Sequence, residues 1–321
     1  MTSNPFNTVL RTVAAASIVL LSSCQHKELC YNHLHTTPVD IVFDWRNAPG
    51  AEPDGMLLYF FPEEGGAPVK FALGGHEGGR IEIPDGTYKV ICVNSDSETA
   101  QFRGTDSFGT FEIFTREASV LEGLKINAPT KGPIVEGTED QAVSLTPDMI
   151  YGGTLTGATV PFGREPVTLT MYPDKVVKDY SFEILDVENM EYATTTGASL
   201  SGMSGSYMAG GECCSPGLHT VPFEAVQSGT DRLEGSFHVF GHCPDDAASA
   251  QHIFALYVIR SDGKQIYYTF DVTQQVHDAP DQDNVHIVIQ GLTLPKPIEG
   301  GGGMNPSVDG WEDGDIFDIP M

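Results

Sequence analysis

The side chains in this sequence with chemistry to offer are its histidines, cysteines and carboxylates, and their spacing decides what that chemistry is. His238-x-x-x-His242-Cys243 closes a stretch of strand character, Glu212-Cys213-Cys214 lies upstream of it, and His26, Cys30, His33 and His35 gather near the N-terminus. Zinc takes four nitrogen or sulfur donors converging tetrahedrally, which neutral imidazole and thiolate can supply. None of these groups has a finger spacing, and nothing assures His238 and His242 a common face. They read as loop histidines and core or bridged cysteines, with no metal expected. Asp278–Asp283 and Asp309–Asp318 offer oxygen donors but lack the EF-hand spacing and read as solvated charge. No nucleophile elbow, P-loop, Rossmann glycine pattern or His-Glu-x-x-His occurs. With 44 acidic residues, no particular carboxylate pair is singled out for glycoside hydrolysis. The chain reads as non-enzymatic, without a cofactor.

The six cysteines are Cys24, Cys30, Cys92, Cys213, Cys214 and Cys243. Cys92 shares a strand face with Tyr88 and Val90 and reads as a buried thiol. Adjacent cysteines seldom bridge to each other, so Cys213 or Cys214 would pair with Cys243 if a disulfide forms. Cys24 has a different setting. Arg11 precedes an apolar stretch, Thr12–Leu21, that at about ten residues is too short to span a bilayer, which takes roughly 20. It has the proportions of a secretory signal, followed by small residues at a cleavage position. Leu21-Ser22-Ser23-Cys24 resembles the lipobox of bacterial lipoproteins. That resemblance implies removal of residues 1–23 and acylation of Cys24, and two or three acyl chains hold a protein stably on a membrane.

Charge narrows the partners. The formal net charge is −27, and it becomes −28 without residues 1–23, which carry Arg11 and no acid. A chain this acidic excludes phosphate neutralisation and hence nucleic acid. Anionic headgroups repel it too, so a membrane link would have to be the lipid and not a basic patch.

The elements that position these residues are short and β-like. Thirty-five glycines and 21 prolines punctuate the chain. Val39, Ile41, Phe43 and Trp45 alternate with Asp40, Val42 and Asp44, the period-2 pattern of a half-buried strand. Further strands are expected over Met56–Phe61, Val69–Leu73, Gly79–Ile83, Thr87–Val93, Gly109–Thr115, Tyr151–Leu155, Val167–Met171, Val176–Leu185, Leu218–Phe223, Leu233–Phe240, Ile253–Arg260, Gln265–Val272 and Val285–Gly291. Asp262-Gly263 is a hairpin cue. Tyr257, Tyr267 and Tyr268 read as core or cross-strand residues. Only Ser119–Leu124 and Asp148–Tyr151 suit a helical turn, and Gly197–Gly217 reads as a loop or broken strand. Polar, Pro- and Gly-bearing residues near 130–147 suggest a junction. The expected parts are a signal peptide (1–23), a tether (24–37), an N-terminal sandwich (38–135), a C-terminal sandwich (136–295), and a Gly/Pro spacer with a last strand (296–321). That strand, Val308–Met321, is expected to be an ordinary edge strand in preference to a donor to another chain.

Taken together, the chain resembles the fimbrillin-like lipoproteins of Bacteroidia, which include fimbrial anchor and minor subunits. The matching segments are Leu21-Ser22-Ser23-Cys24, the His-rich Cys24–His35, Val39-Asp-Ile-Val-Phe-Asp-Trp45, Leu58-Tyr-Phe-Phe-Pro-Glu-Glu-Gly-Gly66, Ile83-Pro-Asp-Gly-Thr-Tyr-Lys-Val90 and Gly310-Trp-Glu-Asp313. The resemblance implies an all-β fold of two tandem transthyretin-like antiparallel β-sandwiches. It also implies a palmitoylated lipoprotein on the outer membrane, exposed at the surface, with fimbrillin or pilin subunits as partners. Relatives assemble by strand complementation, in which a neighbour's strand fills the groove of a removed one. Here Val39–Trp45 would be the removable strand and Arg46 the processing site, although anchor-type relatives keep that strand. The alternative is an adhesin that captures glycan or host protein through loops such as Gly197–Gly217.

Overall fold

A computed structural model describes residues 36–126, 132–242, 250–297 and 311–314 of the chain. The architecture is all-β. In chain order the strands open with β1 (Thr36–Phe43), β2 (Gly55–Pro62), β3 (Val69–Gly74), β4 (Gly78–Pro84) and β5 (Gly86–Asn94). Short strands β6 (Gln101–Arg103), β7 (Glu112–Phe114) and β8 (Ala142–Val143) precede β9 (Tyr151–Val160), β10 (Val167–Met171) and β11 (Asp174–Lys175). Next come β12 (Lys178–Glu188), β13 (Ala193–Ser204), β14 (Ser206–Met208), β15 (Cys213–Cys214), β16 (Leu218–Glu224), β17 (Val226–Ser228) and β18 (Arg232–Val239). The chain continues with β19 (Ile253–Arg260), β20 (Gln265–Asp271), helix α1 (Thr273–His277), β21 (Asn284–Thr293) and β22 (Glu312–Asp313).

Two sandwiches of the same topology emerge from the pairing. In the first, β1 lies between antiparallel β4 and parallel β10, facing a sheet that runs β3-β2-β5-β9. In the second, β12 lies between antiparallel β18 and parallel β21, facing a sheet that runs β16-β13-β19-β20. Most pairs are antiparallel, and each sandwich joins its first and last strands in parallel.

Burial explains the sequence patterns. On β2, Met56, Leu58 and Phe60 face the first sandwich's interior, while Tyr59 and Phe61 face the other way into a second apolar cluster. On β5, Val90 and Cys92 share the first cluster, and Ile91 and Val93 the second. Both faces of the sheet are covered at β2 and β5, so these two strands read as continuous apolar runs. The outer cover is a small sheet, β15-β14-β7-β6, with Phe111, Ile113, Ala209 and Phe240 packed beneath it. β19 is treated alike: Phe254, Leu256 and Val258 point into the second core, and Ala255 and Tyr257 lie under Leu121, Leu124 and Val135.

The expected division at 135/136 does not follow the sheets. β9 and β10 belong to the first sandwich through β5 and β1. Before them, the chain has already visited the second, where β7 pairs with β14 and β8 with β16. The polar stretch before β9 is a strap across the second sandwich, not a linker, and its composition reflects surface exposure rather than a boundary. The expected tether also ends earlier, because Thr36 and Thr37 are already in β1.

Of the two readings of Gly197–Gly217, the structure takes the broken strand, with β13 ending at Ser204 and β14 starting at Ser206. Its first part is the centre of the larger second sheet, buried from Gly197 to Ser204 between β16 and β19. The strand is rich in small residues because the strap crosses close above it: a Cβ on Gly197 would stand 2.8 Å from the Gly123 backbone, and one on Gly123 would stand 1.9 Å from the Phe223 carbonyl oxygen. Ser119–Leu124 does contain a 3₁₀ turn, Glu122–Leu124. Asp148–Tyr151 does not turn: Asp148 accepts from Thr99 Oγ1 and the Glu98 amide, and Tyr151 begins β9. Gly109–Thr115 contributes only Glu112–Phe114 to a strand. At the C-terminal end, β22 pairs in parallel with β20, and Gly314 N–H donates to Tyr267 O at 2.8 Å. The last strand thus extends this chain's own sheet, as an edge strand does.

Gly123→Ala should force strap and sheet apart. A loss of about 1–3 kcal/mol is expected from overpacking, read as a fall in thermal midpoint by circular dichroism. Gly163→Ala, whose Cβ would have only Glu165 N at 4.0 Å as a neighbour, should melt with the parent chain.

Candidate functional site

The strand that the resemblance singles out for assembly is β1, together with the groove it fills. Alternation places Val39, Ile41 and Phe43 inward, at most 5% exposed, against Met56, Leu58, Ile81 and Met171 of the same cluster. Both ladders are occupied, from Thr36↔Pro84 to Val42↔Gly78 on one side and from Val39↔Val167 to Phe43↔Met171 on the other. Fully burying one such side chain contributes about 1.5–3 kcal/mol, so three of them hold the strand firmly.

Polar contacts fix the register. Thr37 is buried, and its hydroxyl donates to the Pro161 carbonyl at 2.8 Å. On the outer face Arg80 reaches Asp40 with two bonds, 2.7 and 2.9 Å, across the β1–β4 pair. This hydrogen-bonded guanidinium holds the Asp40 carboxyl below the usual carboxylate range, but both groups are exposed and such a pair adds little stability. At the far end Trp45 Nε1–H donates to His76 O at 2.7 Å, and its ring meets Tyr151 edge-on at 5.6 Å.

Arg46 follows immediately, exposed at the start of a turn. It pairs with Asp44 and lies 4.8 Å over the Tyr172 ring. The hydrogen bond to Arg46 draws the Asp44 carboxyl down. A backbone in an exposed turn is accessible to a protease, and a cut after Arg46 would separate everything before it, β1 included, from the body. Cys24, the expected lipidation site, lies outside the described residues.

The cysteines and histidines are distributed differently from the sequence grouping. Cys92 is buried in the first core, and burial pushes its thiol up to about 12. Cys213 is exposed, whereas Cys214 Sγ–H donates to the Phe240 carbonyl at 3.1 Å. Cys243 lies outside the described residues, as do His26, Cys30, His33 and His35. Glu212 accepts a bond from Thr154 Oγ1 at 3.0 Å, and His238 Nε2 stands 3.1 Å from Asp179. His238 is therefore apart from His242, which instead meets His252 and His277, with ring centroids at 5.6 Å from each. Sequence spacing gave no sign of that trio. Burial, above all, lowers His252 to about 4, and it lowers His242 as well. Tyr257 is fully buried and bonds to Ser199 Oγ at 2.9 Å, directly opposite Tyr267 on β20, as core and cross-strand residues should be. Within the segment expected to present an adhesive surface, residues 197–206 are buried, and exposed residues occur only within 211–217. No helix among the described residues is long and apolar enough to cross a membrane.

A curated Bacteroides ovatus protein named "Putative fimbrium anchoring subunit Fim4B" is 26% identical over 345 residues, which cover 96% of this chain and 97% of that protein. Among solved structures, one titled a "putative adhesin" from Bacteroides ovatus superposes with a TM-score of 0.63 at 22% identity, covering 93% of this chain and 99% of that one. The fimbrial anchor protein Mfa2 from Porphyromonas gingivalis superposes with a TM-score of 0.50 at 11% identity, covering 79% of this chain and 90% of that one. These superpositions establish the shared fold. Residues 23–224 match the family described as Domain of unknown function (DUF5119), and over that span, well beyond half its length, the chain belongs to this family.

Proposed function

We propose that this protein is a non-enzymatic lipoprotein of the outer membrane that serves as an anchor or accessory subunit of a fimbria. The observation that carries the reading is the end-to-end likeness to the relative named as a fimbrium anchoring subunit. The geometry of β1 fits an anchor in particular. Thr36 stands 12 positions after Cys24, so an acylated Cys24 would be joined to the sheet by a segment reaching at most about 40 Å. A cut after Arg46 would sever that link, so processing there and anchoring through Cys24 exclude each other unless the severed strand stays in its groove. The anchor reading therefore assigns Arg46 to the end of a retained strand. Fimbrial subunits are the proposed partners, met through strand-edge contacts of the β-augmentation type. Membranes solubilised from the native host test this: the protein should begin at an acylated Cys24 by mass spectrometry and should co-purify with pilin subunits. Recovery free of pilins would favour the adhesin reading, and a start at Asn47 would contradict the retained strand.

The retained strand also makes a stability prediction. Ile41→Ala should cost about 2–4 kcal/mol in denaturant unfolding, as buried truncations do. Val42→Ala, on the same strand but 41% exposed, should stay within about 0.5 kcal/mol of the parent.

For the cysteines, Cys214 is the better proposed partner for Cys243, since its Sγ already reaches the carbonyl of Phe240, three positions before Cys243. Non-reducing peptide mapping of exported protein should yield a Cys214–Cys243 peptide that disappears on reduction, and no Cys213–Cys243 peptide.

A further inference from the structure

His242, His252 and His277 come together at one end of the second sandwich, where β18 ends, β19 begins and α1 closes. His252 is fully buried, and the other two are half-buried, so the group has a solvent side.

The placement of His252 is tightly built. Its amide donates to Thr273 Oγ1 and its carbonyl accepts from the Val272 amide, both at 2.9 Å. Its Nδ1 lies 3.0 Å from the Ser201 carbonyl oxygen. A carbonyl can only accept, so Nδ1 carries the proton and Nε2 is left with a free lone pair. Gly202, at φ +77°, makes room for the ring: a Cβ there would stand 2.8 Å from Nδ1. An imidazole whose Nδ1–H is bound to a backbone carbonyl is the usual arrangement of a metal-ligating histidine.

That lone pair points at a second donor. His252 Nε2 and His277 Nε2 are 3.2 Å apart. Two nitrogens on one tetrahedral zinc, each about 2.0–2.1 Å from it, are separated by about 3.3–3.4 Å, and the centroids of their rings by about 5.2 Å. The three centroid separations here are 5.0, 5.6 and 5.6 Å. As the rings stand, no three donor atoms among the described residues converge on one point. A turn of the half-buried His242 ring is the adjustment required.

We propose that His242, His252 and His277 form a zinc-class transition-metal site that ties both ends of the β18–β19 connection to helix α1. Three neutral imidazoles suit zinc, copper(II) or nickel(II), and leave a fourth position for water or another donor. The role is structural: the ion binds the folded chain alone and so stabilises it. Without metal, the 3.2 Å contact is a His277 Nε2–H to His252 Nε2 hydrogen bond.

The test uses tag-free mature protein stripped with chelator and titrated with Zn²⁺ by calorimetry and equilibrium dialysis. A variant with His26, His33 and His35 changed to Ala removes the N-terminal imidazoles as competing ligands. In that background one Zn²⁺ per chain should bind with a micromolar or lower Kd, and at a hundredfold excess over Kd the thermal midpoint should rise by about 5 °C. His242→Ala and His277→Ala, both half-buried positions that tolerate truncation better than His252, should each weaken binding at least about tenfold. His238→Ala should bind like the parent. Binding that is absent below millimolar Zn²⁺, or that is unchanged in both His242→Ala and His277→Ala, overturns the site and leaves the histidine hydrogen bond.

Discussion

The first sandwich depends on one strand having a neighbour on either side. β1 is the middle member of a three-stranded sheet, and β4 and β10 do not pair with each other. Withdrawing β1 would leave two facing rows of unpaired backbone groups and open the apolar floor under Val39, Ile41 and Phe43. Unpaired edges above exposed apolar surface are what another strand binds. The strand therefore closes that groove as well as belonging to the sheet. Its fit comes from simple alternation, three large apolar residues set against the one facing sheet, with threonines and an aspartate to fix the register.

The same plan recurs in the second sandwich, where β12 sits between β18 and β21. The two are not beads on a string, because the chain leaves the first, straps the second and returns. One apolar cluster records that excursion: Tyr59, Phe61, Ile91 and Val93 from the first sandwich meet Phe111, Ile113, Ala209 and Phe240, which belong to the strap and to the second. T-shaped contacts of Phe111 with Tyr59 at 4.7 Å and Phe61 at 6.4 Å stitch the layers. Edge-to-face aromatic pairs add to area burial, so the layers are joined as a core is joined.

What the sequence disclosed and what it hid follow from physical scale. Alternation in β1 and the two-faced apolar runs of β2, β5 and β19 are local, and they placed those strands to within a few residues. β13 could not be told from a loop because its inner stretch, Gly197–Ser204, is built of small residues that let the strap backbone approach. Closeness of backbone selects for a missing side chain, and a missing side chain leaves no hydrophobic pattern to read. The junction was misplaced for a related reason, since a polar strap and a polar linker have the same composition. At the groove, Arg46 and the strand before it were legible, whereas the histidine trio was not. His242 and His252 flank a connection and His277 ends a helix, and only the closing of β18, β19 and α1 upon one another brings them together.

Parallel pairing of first and last strands has a mechanical consequence for a tethered protein. Tension applied at the N-terminal end of β1 runs along the strand, perpendicular to the ladder bonds that join it to β4 and β10, so those bonds are loaded together in shear. Twelve paired positions share the load, seven on β4 and five on β10. An edge strand peeled from one end would break its bonds one after another. β1 is protected from peeling because both flanks are occupied and because Trp45, bonded to His76 O and seated on Tyr151, blocks movement at the far end. On the proposed tether, the strand that receives the pull from the membrane is one held on both flanks, and the chain beyond Arg46 leads through a turn into β2 of the facing sheet. The same double pairing that would leave a groove if β1 were cut away makes it a good grip while it stays attached, as the proposed anchor role requires.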